Sequence, residues 1–202
     1  MNSARLHRIL GLSLLLPLIG WAFTGFVFLL KPGYEGAYEQ LSPRYYALDK
    51  ALKIEPTEGW TEVRVRKTVL GLHLLVSTGD QHLHLDPITG QERPSPDRAE
   101  LERLLEDAIS ANPERYGTLK EAISDGYVTS TGVELSLDWN KLTLRQTGRD
   151  TQIIGLLYKI HYLQWLGVKP ANIALGVAGL CCLLLLVYCG VRIYAQGRRS
   201  EP

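Results

Sequence analysis

Two long uncharged apolar runs, Ile9 to Leu30 and Ala171 to Val191, bracket a 202-residue chain whose middle is polar and mixed. Each is about 20 residues long, enough for a helix to cross the roughly 30 Å hydrocarbon core of a bilayer. A helix that is apolar on every side has no face to give to water, so the runs predict two transmembrane helices rather than parts of a soluble core. Arg5 and Arg8 precede the first run, and Arg192, Arg198 and Arg199 follow the second. Basic residues beside a span stay on the cytoplasmic side, so both termini are expected inside. The expected organisation is a cytoplasmic N-terminus (1–8), a transmembrane helix (9–30), an exported domain (31–170), a second transmembrane helix (171–191) and a cytoplasmic tail (192–202). The competing reading of the first 30 residues is a cleaved signal peptide. Its apolar core is longer than the usual 7–15 residues or so, and Phe26-Val27-Phe28-Leu29-Leu30 offers no small-residue cleavage site.

The balance of 22 basic against 21 acidic residues gives no electrostatic footprint for nucleic acid. All three cysteines, Cys181, Cys182 and Cys189, lie inside the second apolar run. The exported domain therefore has no disulfide, although its compartment would permit one. Its roughly 140 residues can bury a core without such staples. The cysteines read as small packing residues, like Gly20, Thr24 and Gly25 in the first run and Ala174, Gly176, Ala178 and Gly179 in the second.

Breakers at Lys31-Pro32-Gly33, Ser42-Pro43 and Glu55-Pro56-Thr57-Glu58-Gly59 surround an expected short helix near 43–53. From Thr61 the period becomes two. Val63 and Val65, then Leu70, Leu72, Leu74 and Val76, then Leu83 and Leu85 alternate with polar positions. A turn at Gly79-Asp80 sets Val76 against Leu83 and Leu74 against Leu85. A turn at Lys67-Thr68 would set Val65 against Leu70 and Val63 against Leu72. The result is a three-stranded meander with one aliphatic face, ending at Asp86-Pro87-Ile88-Thr89-Gly90. Pro96-Asp97 opens a helix carrying Leu101, Leu104, Leu105, Ala108 and Ile109 on one stripe, and Asn112-Pro113 stops it. Val133, Leu135, Leu137 and Trp139 alternate into a turn at Asn140-Lys141, from which Leu142 and Leu144 return. Residues 152–166 read as an amphipathic surface helix with Ile153, Leu156, Leu157 and Ile160 on one side. Tyr158, Tyr162 and Trp165 suit the headgroup layer. The fold class is α+β: two transmembrane helices flanking an exported domain of antiparallel strands packed with helices.

At this point the chain resembles the PepSY-associated transmembrane family. The resemblance rests on Leu6-His7-Arg8-Ile9-Leu10-Gly11-Leu12 entering the first run and on Trp21-Ala22-Phe23-Thr24-Gly25 within it. It rests also on the strand and turn His84-Leu85-Asp86-Pro87-Ile88-Thr89-Gly90-Gln91, and on Ile160-His161 before the second run. It implies a PepSY-like helix-on-sheet domain held by membrane helices in a bacterial inner membrane. Isolated PepSY domains are associated with peptidase propeptides and with protein–protein inhibition. Larger transmembrane relatives include inner-membrane ferric-siderophore reductases, some of which bind haem through histidines of their spans. This chain has two spans where those reductases have four or more.

The resemblance therefore implies an integral inner-membrane protein whose periplasmic domain binds or regulates, accessory to iron or siderophore uptake. One alternative is a haem-binding homodimer that carries electrons to a periplasmic ferric siderophore, in the manner of a ferric reductase. Another is a membrane-tethered protease inhibitor. The expected partners are the lipid bilayer and either a second copy or another membrane or periplasmic protein.

Histidine carries what site chemistry the chain offers. His7 and His161 are the candidate ligands of haem b, because two imidazoles on iron make a low-spin electron-transfer site. They are expected a bilayer apart, so a single haem would need the same histidine from two copies. The plainer alternative makes His7 an interfacial residue beside two arginines and His161 a polar-face residue of the surface helix. His73, His82 and His84, with Asp86 and Glu62, are expected to converge on the sheet face opposite the aliphatic one, as candidate ligands for zinc, copper or ferric iron. The alternative there is a solvated sheet face. Nucleophile elbow, zincin, phosphate-loop and dinucleotide motifs are absent. No catalytic residue is nominated, since Glu100, Glu102, Glu106 and Asp107 share a helix with Arg98 and Arg103 and read as its solvated face.

Overall fold

The computed structural model describes residues 3–49 and 51–198. They form two compact units, one made of the chain up to Tyr34 together with the chain from Gln152 onward, the other running from Glu35 to Thr151. The first unit is helical. Helix α1 (Ser3–Leu30) and the C-terminal helix α6 (Lys169–Arg198) are each long and apolar enough to cross a membrane, and they pack against one another. Between them in sequence lies α5 (Arg149–His161).

Helix α5 differs from the expected surface helix. It starts earlier, ends at His161, and buries a different stripe. Ile153 and Leu156 are exposed, whereas Ile154 is buried and Leu157, Tyr158 and His161 are half-buried. The Tyr158 ring stacks on Phe28 of α1 at 4.8 Å, and an added Cβ on Gly20 would come within 3.3 Å of Ile160. The end of α5 therefore lies beside the last ten residues or so of α1. The chain then reverses at Leu163, a buried non-glycine residue with φ 53°.

The second unit is α+β. After the short helix α2 (Tyr34–Ala37), strands β1 (Glu62–Thr68), β2 (Gly71–Thr78) and β3 (Gln81–Leu85) form an antiparallel meander. The β2–β3 register is the expected one, with Val76 opposite Leu83 and Leu74 opposite Leu85. The β1–β2 register is not. Val65 faces Leu74 and Val63 faces Val76, because the chain turns at Val69-Leu70 rather than at Lys67-Thr68. The four-residue slip is even, so every side chain keeps its face and the alternation alone cannot reveal it.

Helix α3 (Arg98–Ile109) begins at a reciprocal cap. The Glu100 N–H donates to the Asp97 carboxylate at 2.8 Å, and the Asp97 N–H donates to Glu100 at 3.2 Å. A second sheet follows the short helix α4 (Pro113–Tyr116). It consists of β4 (Leu119–Ile123), β5 (Gly126–Thr129), β6 (Glu134–Asp138) and β7 (Thr143–Thr147), paired in chain order. The β4–β5 hairpin was not anticipated. A register irregularity between Leu119 and Glu121 breaks the alternation there, and the turn is Ser124-Asp125, between Ile123 and its partner Gly126.

Leu105, Ala108 and Ile109 of α3 pack with Tyr127, Val133, Leu135 and Leu144 of the second sheet and its entry. Leu104 joins Leu75 and Leu142 in a second cluster. The other face of the meander, Leu74, Val76 and Leu85, is covered by Ile54 and Trp60. Both faces of β2 are therefore buried, while β1 and the start of β3 keep Glu62, Arg64 and His82 exposed. The expected helix at 43–53 does not form among the described residues of that stretch. Pro43 is buried, the Tyr46 N–H donates to the Lys67 carbonyl, and the Tyr46 hydroxyl donates to Asp107 at 2.6 Å. The extended chain thus blunts the β1 edge, which a helix could not do.

Candidate functional site

The five expected metal ligands do not come together. With the β1–β2 turn displaced, Glu62 pairs with Ser77, four residues along β2 from His73, and its carboxylate binds Arg64 through two bonds of 2.7 and 2.9 Å. His82 is exposed and bonds Ser77 at 3.1 Å. Asp86 accepts from the N–H groups of Ile88 and Thr89, both at 2.9 Å, and these bonds hold its carboxyl below the ordinary range. Among the described residues no group of three or more His, Cys, Asp or Glu is placed to hold a metal ion.

His73 and His84 do meet, on the expected face, and that face is buried around them while Glu62 and His82 on it are exposed. His73 and His84 are 0% and 1% exposed, beneath Trp139. The shorter hydrogen bonds set both tautomers, against a longer approach of Arg93 to His73 Nδ1 at 3.3 Å. His84 Nδ1 lies 2.7 Å from the Trp139 carbonyl oxygen, which can only accept, so Nδ1 carries the proton and Nε2 carries a lone pair. His73 Nδ1, 2.9 Å away, must then donate to that lone pair. His73 Nε2 is left to accept from the Thr68 hydroxyl at 2.7 Å, while Thr68 itself accepts from the Leu70 N–H. All four ring nitrogens are occupied and both rings are neutral. Burial lowers His73 to about 3, assisted by the Arg93 cation and His84. Burial also lowers His84 to about 4, with the Trp139 carbonyl pulling the other way and Arg93 adding to the depression. Arg93 donates to the carbonyls of Leu70 and Leu72 and lies over Trp139 at 5.7 Å. This network is a polar strut in the core, with no nitrogen lone pair left for a ligand.

The other two histidines, both in the helical unit, are held differently. His7 Nδ1 is 3.1 Å from the backbone carbonyl of Leu186 on α6, so Nδ1 is the donor. His161 Nδ1 is 2.8 Å from Thr24 Oγ1. The Thr24 hydroxyl also has the Gly20 carbonyl at 2.6 Å to donate to, an arrangement in which its oxygen is the acceptor for His161 Nδ1–H. In both rings Nδ1 is tied to the protein. Nε2 is a bare lone pair that bonds no described residue. An imidazole held at Nδ1 in this way presents Nε2 for metal ligation, with the second nitrogen fixing ring orientation. Thr24 is 17 positions beyond His7 on α1, about 25 Å at 1.5 Å per residue. The two histidines of one chain thus lie at separate levels of the helical unit.

His161 also lines a largely apolar cavity of about 300 Å³ with Trp21, Tyr162, Leu163, Gly176, Leu180 and Leu183. That volume is at the low end for a ligand pocket, so a macrocycle held there needs a further wall. Sequence reasoning missed Thr24 and Trp21 as parts of this site. Trp21 Nε1 donates to the His161 carbonyl at 2.6 Å and so caps the end of α5.

A second concavity, about 690 Å³ and open, lies in the Glu35–Thr151 unit. Its floor is Arg115, which donates to Gln146 at 2.9 and 2.7 Å and to Asp150 at 2.8 Å. A Cβ on Gly36 would meet the Arg115 guanidinium, so the chain crosses close over it. Glu35, Glu39 and Glu114 give the rim an acidic character. Nothing in the sequence marked this cleft, because its residues come from four separated segments.

The family model describing the PepSY-associated TM region matches residues 3–197. No curated protein and no solved structure matches the chain.

Proposed function

Since the chain belongs to the PepSY-associated transmembrane family, we propose that it is a two-span protein of a bacterial inner membrane that carries electrons for iron or siderophore uptake. Arg5 and Arg8 at the start of α1 and Arg192 near the end of α6 support cytoplasmic termini and a periplasmic Glu35–Thr151 unit. The observation that carries the electron-transfer reading is the pair of bare Nε2 atoms on His7 and His161. Each is oriented by a hydrogen bond at Nδ1.

His7 and His161 are the residues that would hold haem b, His161 from the side of its apolar cavity. In a homodimer, His7 pairs with its copy near the cytoplasmic face and His161 with its copy near the periplasmic face. Haem held by two such imidazoles would supply one-electron chemistry. The residues of this chain orient the imidazoles through Nδ1, and Trp21, Leu163, Leu180 and Leu183 line the His161 side with apolar surface. Detergent-purified protein from haem-replete cells tests this. A Soret band with reduced α and β bands is expected, and a colourless preparation would overturn it.

A second reading makes the Glu35–Thr151 unit a periplasmic binding or regulatory module that needs no haem. The cleft over Arg115 favours it. Thermal-shift titration of the full chain with ferric and iron-free siderophores distinguishes the two. Ligand-dependent stabilisation in colourless protein supports this reading, and an unchanged Tm in coloured protein supports the first.

A further inference from the structure

We infer that Thr24 is a positioning residue that selects the tautomer of His161, making the α1 segment from Gly20 to Phe28 a cradle for one imidazole. The inference rests on the reading of His161 as a ligand but is argued from independent contacts. Thr24 is completely buried, near the end of a helix otherwise rich in exposed leucine and phenylalanine. A buried threonine in a helix satisfies its proton on the preceding turn, and Thr24 does so at the Gly20 carbonyl. Its oxygen is then obliged to accept, and the atom it meets is His161 Nδ1 at 2.8 Å.

The rest of the cradle fixes the ring from other sides. Trp21 holds the His161 carbonyl, Phe28 meets the imidazole edge-on at 5.2 Å, and Tyr162 does so at 5.4 Å. Gly20 lets Ile160 approach closely enough to bring the end of α5 against α1. Valine at position 24 would keep the volume and remove the acceptor. His161 Nδ1 would then have no partner, and the ring would be free to carry its proton on Nε2, the atom needed for a metal.

Two readouts test this in the full-length protein in detergent. In haem-free protein, nitrogen NMR of labelled histidine should show a protonated Nδ1 and bare Nε2 for His161, assigned by its loss in His161→Ala. Thr24→Val should abolish that pattern and Thr24→Ser should retain it. In haem-loaded protein, Thr24→Val should weaken retention at the His161 site by about 10- to 100-fold, the usual cost of losing such an outer hydrogen bond, with Thr24→Ser near wild type. An unchanged tautomer in Thr24→Val, or an unprotonated Nδ1 in the wild type, overturns the inference. Failure of the wild type to take up haem overturns instead the ligand reading on which it rests, and the tautomer result still decides the role of Thr24.

Discussion

The Glu35–Thr151 unit and the helical unit each contain a pair of structurally engaged histidines, and the two pairs are used in opposite ways. In the first, His73 and His84 bond each other, Thr68 and Trp139, so no ring nitrogen is left over. In the second, His7 and His161 each bond one oxygen of a neighbouring element and leave Nε2 unengaged. Proximity alone would favour the first pair as a metal site, since its rings touch. The disposition of lone pairs reverses that judgement. A histidine is a candidate ligand when its partner is an acceptor at one nitrogen and nothing occupies the other.

The sharpest way to break this contrast is to remove each histidine in turn. His7→Ala and His161→Ala should each lose about half of the bound haem, because each empties one of two sites, while leaving the Glu35–Thr151 unit folded. His84→Ala should do the reverse. It leaves the Trp139 carbonyl and His73 Nδ1 unsatisfied beside a new cavity, a cost of about 3–4 kcal/mol. Hydrogen exchange of the β2 and β3 amides in the full chain would read it as faster opening.

Acid should discriminate next. His73 and His84 have folded-state values well below the ordinary 6.5, near 3 and 4. The unfolded chain therefore takes up protons below pH 6.5 that the folded unit refuses. The stability these rings contribute is complete above 6.5 and is lost as pH falls towards 4. With two such groups the loss between pH 6 and 5 is about 2 kcal/mol, measurable as a falling exchange-derived opening energy. Asp97→Ala, which removes the α3 cap, should cost about 1 kcal/mol. His82→Ala, on an exposed side chain, should change stability by less than about 0.5 kcal/mol and leave haem content untouched.

The apolar ends, helix α3 and the β2–β3 hairpin were legible because each rests on a local period and a local stop signal. What escaped depends on partners distant in sequence. The β1–β2 turn slipped by an even number of residues, which leaves the pattern of Val63, Val65, Leu72 and Leu74 unaltered. The stretch after Pro43 looked helical in isolation but is extended because Lys67 and Asp107 offer it hydrogen bonds. Helix α5 turns Ile154 and His161 inward, instead of Ile153 and Leu156, because Phe28 and Thr24 accept that face. The candidate ligands His7 and His161 were visible as residues. Their tautomers were not, since one is set by a hydroxyl 137 positions away and the other by a carbonyl 179 positions away.

The most direct test is the haem-to-chain ratio of purified protein, measured for the wild type and for the His7→Ala/His161→Ala double variant. One haem per chain, with a low-spin spectrum that vanishes completely in the double variant, is the predicted result. A wild type without haem, or a spectrum that persists when both histidines are gone, would contradict the assignment of these imidazoles as ligands.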